Sequence, residues 1–82
     1  MSLKKRIKLL KQMFDEAGID KKVFEKLEDK CISMSNLMFS HGYIIEWLNR
    51  EVKSYLDDNE RYRFNFVNIV EKYDLDIGFL DD

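Results

Sequence analysis

The chain contains no proline, and that absence sets the first bound on its fold. An internal proline costs a helix about 3 kcal/mol, so a proline-free chain is open to long uninterrupted helices. Glycine is scarce as well, at three residues, and no glycine-rich phosphate loop is present. A single cysteine, Cys31, excludes an internal disulfide. With only one histidine, His41, beside it, a zinc site would need several carboxylates, and neither HxxxH nor CxxC spacing occurs. Asp74, Asp76 and Gly78 approach a calcium loop, but the glycine falls at the fifth loop position rather than the sixth, and no twelfth-position glutamate follows. No serine stands with a histidine and an acid in a recognisable catalytic motif. No metal, cofactor or enzymatic activity is therefore expected. Apolar runs never approach the roughly 18 residues of a spanning helix. Lysines interrupt the first apolar residues, unlike a secretory signal. The expected location is the cytoplasm.

What is present is periodic. In 82 residues, 37% charged and 13% aromatic, the pattern reads as one domain over residues 1–82, an all-α bundle of three to four helices. The densest apolar stretch is Met34–Leu56, with the only tryptophan and the only histidine. There Ile45, Leu48, Val52 and Tyr55 mark one helical face, widened by Ile44, Trp47 and Leu56. Such a helix needs partners on several sides and is expected at the centre, with Trp47 and Leu48 near the main packing. The helices are expected near residues 2–17, 20–40, 43–57 and 60–73. Ser2 and Asp20 are N-cap residues, and Gly18 supplies a left-handed C-terminal position. Leu3, Ile7, Leu10, Phe14 and Ala17 form a heptad seam on the first helix. Val23, Leu27, Cys31, Met34 and Met38 form the stripe of the second, flanked by Phe24 and Leu37. Gly42 is expected to end or kink that helix, and Asp57 with Glu60, or alternatively Asn59, to cap the fourth. Tyr62, Phe66, Ile69, Val70 and Tyr73 share a face of the fourth. Residues 74–82 form an acidic, apolar tail, docked on the bundle or open to a partner.

Charge is unevenly placed. Residues 1–30 carry nine basic against six acidic side chains, and residues 31–82 carry five against ten. Lys4, Lys5, Arg6, Lys8 and Lys11 crowd the start of the first helix, where the macrodipole disfavours them. A solvated face, an acidic protein partner and an anionic membrane surface all fit that cluster. His41 is either a local cap or a contact residue. Phe64, off the helical stripe and between Arg61 and Arg63, has the composition of a binding surface or of packing under a helix end. These nine residues are the candidate partner-binding set. Two functional classes follow: a protein-interaction module, and a small nucleic-acid-binding regulator built on a helix-turn-helix at Leu37–Glu51. The second is disfavoured because the reading helix would open with Ile44, Ile45 and Trp47 rather than basic or amide side chains. The two charge poles and the seam also raise a homodimer, against the alternative that the seam closes the monomer's own bundle.

The basic opening MSLKKRIKLLKQ and the aromatic middle SHGYIIEWLNREV, in a proline-free helical chain of this length, resemble the lysis-inhibition accessory proteins of T-even phages, which are cytosolic antiholins. The likeness covers the whole chain without a signature motif. It implies a non-enzymatic protein that binds the cytosolic part of the phage holin and delays lysis of the host.

Overall fold

The computed structural model describes residues 2–72. Four helices follow one another: α1 (Leu3–Glu16), α2 (Lys21–Asn36), α3 (His41–Asp58) and α4 (Glu60–Lys72). The described chain is an all-α bundle, and among the described residues there is no strand. The expected docking or freedom of the tail 74–82, and Tyr73, lie outside the described residues.

Local chemistry explains where the helices start. The Ser2 Oγ accepts from the Lys5 backbone N–H at 3.2 Å, and Asp20 Oδ1 accepts from Lys22 N–H at 2.9 Å. Each satisfies a backbone donor that has no partner inside its helix. α1 ends as its sequence suggests. Gly18 takes φ +79°, its N–H donates to the Asp15 carbonyl, and Ile19 N–H donates to the Phe14 carbonyl. This is the paired 5→2 and 6→1 closure of a Schellman motif, and Ile19 is buried behind it.

The end of α2 corrects the sequence reading. Gly42 does not break the chain; it lies in the first turn of α3. The left-handed residue is Met38, at φ +70°, and the same closure repeats there, from Met38 N–H to Ser35 O and from Phe39 N–H to Met34 O. Ser40 then caps α3, its Oγ accepting from Tyr43 N–H at 3.3 Å. A serine cap two residues after the left-handed position fixes the start of α3 at His41, so α2 stops at Asn36 rather than at residue 40. Met38 consequently leaves the stripe assigned to it and is 88% exposed, and Leu37 is exposed as well.

Asp57 and Glu60 do not form the expected capping box, because Asp57 belongs to the last turn of α3 and pairs with Arg63. Asn59 alone joins α3 to α4. Its side-chain Nδ2 donates to the Tyr55 carbonyl at 2.8 Å, while its own carbonyl accepts from Tyr62 and Arg63 N–H. One residue thus closes one helix and opens the next.

α3 is central, as expected: it packs against α1, α2 and α4. Its fully buried row is Ile44, Leu48, Val52 and Leu56, spaced by four. Ile45, Trp47 and Tyr55 form the half-buried flanks, so the stripe is centred slightly off the sequence reading and Trp47 sits at its margin. A row at i, i+4 is the ridge that interlocks with neighbouring helices, whereas a bulky indole with an N–H to satisfy fits better at the edge. The seam of α1 closes this same core: Leu3, Leu10, Phe14 and Ala17 are buried within the single chain, and Ile7 is half-buried. Most of that face is therefore used inside the chain's own bundle. Phe14 is the aromatic node, with ring centroids 5.1 Å from Phe24, 5.6 Å from Phe66 and 6.0 Å from Tyr55. The first two contacts are edge-on, the favoured arrangement for aromatic quadrupoles. Among the described residues no polar or charged residue is buried.

Candidate functional site

The structure divides the nine candidate residues among separate places. Lys4, Lys8, Lys11 and His41 line one open groove of about 520 Å³ between α1 and α2. Its apolar floor is Leu3, Ile7, Cys31 and Ile32. Lys11 Nζ pairs with Glu28 Oε1 at 3.2 Å across the groove, with both side chains partly in solvent, which limits that pair to about 1 kcal/mol at most. Lys5 and Arg6 do not line it. Arg6 is half-buried, and its Nε and Nη1 are shut off from solvent with no acceptor among the described residues. Arg61, Arg63 and Phe64 lie on α4, which packs on α1 and α3 away from the groove. Arg61 rests over the Tyr62 ring, 5.7 Å from its centroid, and Arg63 is held by Asp57. Phe64 is 70% exposed, as its off-stripe position suggested.

One cluster of exposed apolar side chains was not assigned from sequence. Leu37, Met38, Phe39 and Tyr43 are all exposed at the α2–α3 corner, and the Phe39 and Tyr43 rings stack at 5.5 Å. Four consecutive or near-consecutive large apolar side chains held outward on a defined turn form a patch, not scattered exposure. The groove reaches this corner through Ile32, Asn36 and His41. A signal did exist in the sequence: Ser40 three residues before Tyr43 marks an N-cap, and an N-cap there strands Leu37–Phe39 outside both helices.

Comparison with protein-family models, curated proteins and solved structures gave no match. The chemistry of the site must therefore be read from its own groups. Cys31 is fully buried, and burial, with the Glu28 carboxylate adding to it, pushes its thiol up to about 11. Such a thiol stays protonated at neutral pH and behaves as a small core side chain, not as a nucleophile. Tyr55 is likewise shifted upward, by burial first and then by Tyr62 and the Asp20 charge. Among the described residues no three His, Cys, Asp or Glu side chains come together to hold a metal ion. No helix among them is long and apolar enough to cross a membrane. What the described surface presents is an apolar corner beside a basic-rimmed groove.

Proposed function

We propose that this chain is a stoichiometric, non-enzymatic protein-binding regulator that engages its partner through the α2–α3 corner. The observation that carries the reading is the exposure of Leu37, Met38, Phe39 and Tyr43 on a turn whose backbone is fixed at both ends by caps. Leaving those side chains in water forgoes about 25 cal/mol for each Å² of apolar surface, which a partner recovers. A defined, capped turn also limits the ordering cost on binding. The resemblance to cytosolic antiholins gives the partner: the cytosolic part of a phage holin, bound in the host cytoplasm so that lysis is delayed.

The test is calorimetry of the purified chain against the purified cytosolic part of a T-even holin. Saturable binding is expected. Met38→Asp and Phe39→Ser should each weaken it at least tenfold with little change in melting temperature, because Met38 is in solvent and Phe39, stacked on Tyr43, lies outside the buried core. Absence of binding, or binding indifferent to both substitutions, would overturn the reading. A parallel titration with mixed DNA and RNA at low salt addresses the nucleic-acid alternative, which requires tight binding that falls steeply with salt.

A further inference from the structure

The α1–α2 groove has chemistry that selects its occupant. Its volume of about 520 Å³ is that of a site for a peptide-sized set of side chains. Ile32 on the floor remains 52% exposed although Cys31 and Leu3 beside it are buried. On the rim, Lys11 is paired with Glu28, while Lys4 and Lys8 have no carboxylate among the described residues. A complementary occupant therefore carries apolar side chains for the floor, carboxylates for the rim and no cation of its own.

The sequence that follows Lys72, YDLDIGFLDD, has that composition. Leu75, Ile77, Phe79 and Leu80 alternate with or adjoin Asp74, Asp76, Asp81 and Asp82, and no basic residue is present. The rest of the chain carries fourteen basic and twelve acidic side chains, so the two parts have opposite net charge. The segment follows α4, a helix that packs on α1, which forms one wall of the groove. Ten residues span up to about 33–36 Å when extended, and the longest dimension of the molecule is 34 Å.

We propose that the segment 73–82 occupies the α1–α2 groove of its own chain, its apolar side chains on Ile7 and Ile32 and its aspartates on Lys4 and Lys8. A short tether supplies an effective concentration in the millimolar range. A free-peptide affinity of only about 0.1 mM would then keep the groove filled roughly nine-tenths of the time. A partner that uses the basic face of α1 has to displace this segment first. The inference stands on the groove and the charge pattern and does not depend on which protein binds the corner.

The experiment uses the full chain with isotope-labelled isoleucine methyl groups, followed by NMR. Phe79→Ser/Leu80→Ser removes two apolar side chains of the segment. The Ile7 and Ile32 methyl signals are expected to shift in this variant, while that of fully buried Ile44 stays in place and reports an intact fold. Adding a synthetic peptide of residues 73–82 to the variant should return both signals toward their wild-type positions, with an affinity that weakens as salt rises. The same peptide should leave wild type unchanged. Adding Ile32→Asp to the Phe79→Ser/Leu80→Ser chain alters an exposed floor residue and should abolish the peptide's effect on Ile7. Identical Ile7 and Ile32 signals in wild type and in the Phe79→Ser/Leu80→Ser variant would overturn the proposal. So would wild-type signals that change with chain concentration, since a second copy would then be the occupant.

Discussion

Phe66 is the only fully buried side chain that α4 contributes, so Phe66→Ala tests what holds the fourth helix in place. Truncating a buried phenylalanine costs about 3–5 kcal/mol from lost transfer energy and the cavity left behind. The edge contact with Phe14 at 5.6 Å adds about 0.5–1.5 kcal/mol. The remaining apolar contacts of α4, through Tyr62, Ile69 and Val70, are only half-buried. An isolated helix of 13 residues is marginal in water, so α4 should melt once undocked. It holds 13 of the 61 helical residues described, and the far-ultraviolet helical signal should therefore fall by about a fifth. Amide exchange should show protection lost over 60–72 first. The neighbouring exposed Phe64, changed to Ser, is the control and should stay within about 0.5 kcal/mol of wild type. A Phe66→Ala chain with wild-type helical signal and urea midpoint would refute the reasoning, showing that α4 is held by contacts other than this ring.

Leu48→Ala, in the middle of the central row, should cost about 2–5 kcal/mol, measured as a lower urea midpoint, and in so small a domain that can unfold the chain at 37 °C. Met38→Gly should stabilise by about 1 kcal/mol, because it relieves a left-handed backbone at a side chain that is 88% exposed. Thermal melting should rise by about 4–8 °C, and an unchanged midpoint would contradict the strain assigned to Met38. Stability should also fall at alkaline pH through Cys31. The unfolded thiol loses its proton near 9.0, the folded one only at about 11, so the folded state holds more protons between those values. The contribution is fully present below about pH 9 and gone above about pH 11, a loss of about 3 kcal/mol. Cys31→Ala should flatten the decline in denaturant midpoint over that window; an unchanged slope would show that the thiol does not set it.

The bundle was legible because its interior follows a helical period with no polar interruptions, and the caps at Ser2, Asp20 and Gly18 are local chemistry. The α2–α3 corner was misplaced for a physical reason. Glycine is the usual left-handed residue, and Gly42 stood close by. The choice was made instead by the combined gain from the Ser40 cap and the two closing hydrogen bonds, against a strain at Met38 of order 1–2 kcal/mol. That one shift moves Leu37 and Met38 from the expected core to the surface. Similarly, the basic residues of α1 could be recognised as a cluster, but not the way they are divided. Lys4, Lys8 and Lys11 face α2, whereas Arg6 turns to another side of the helix, a distinction set by which neighbour each flank meets.

The brevity of the connections has a kinetic consequence. α1 to α2 and α2 to α3 are joined by four residues each, and α3 to α4 by Asn59 alone. Sequential helices that pack as neighbours make mostly local contacts, and chains of that kind collapse and fold in microseconds to milliseconds. The sequence contains no proline, so no prolyl isomerisation delays any molecule by tens of seconds. Refolding should be a single fast exponential, and newly made chains should be competent almost as soon as they leave the ribosome. The folded chain is then available on the timescale of its own synthesis.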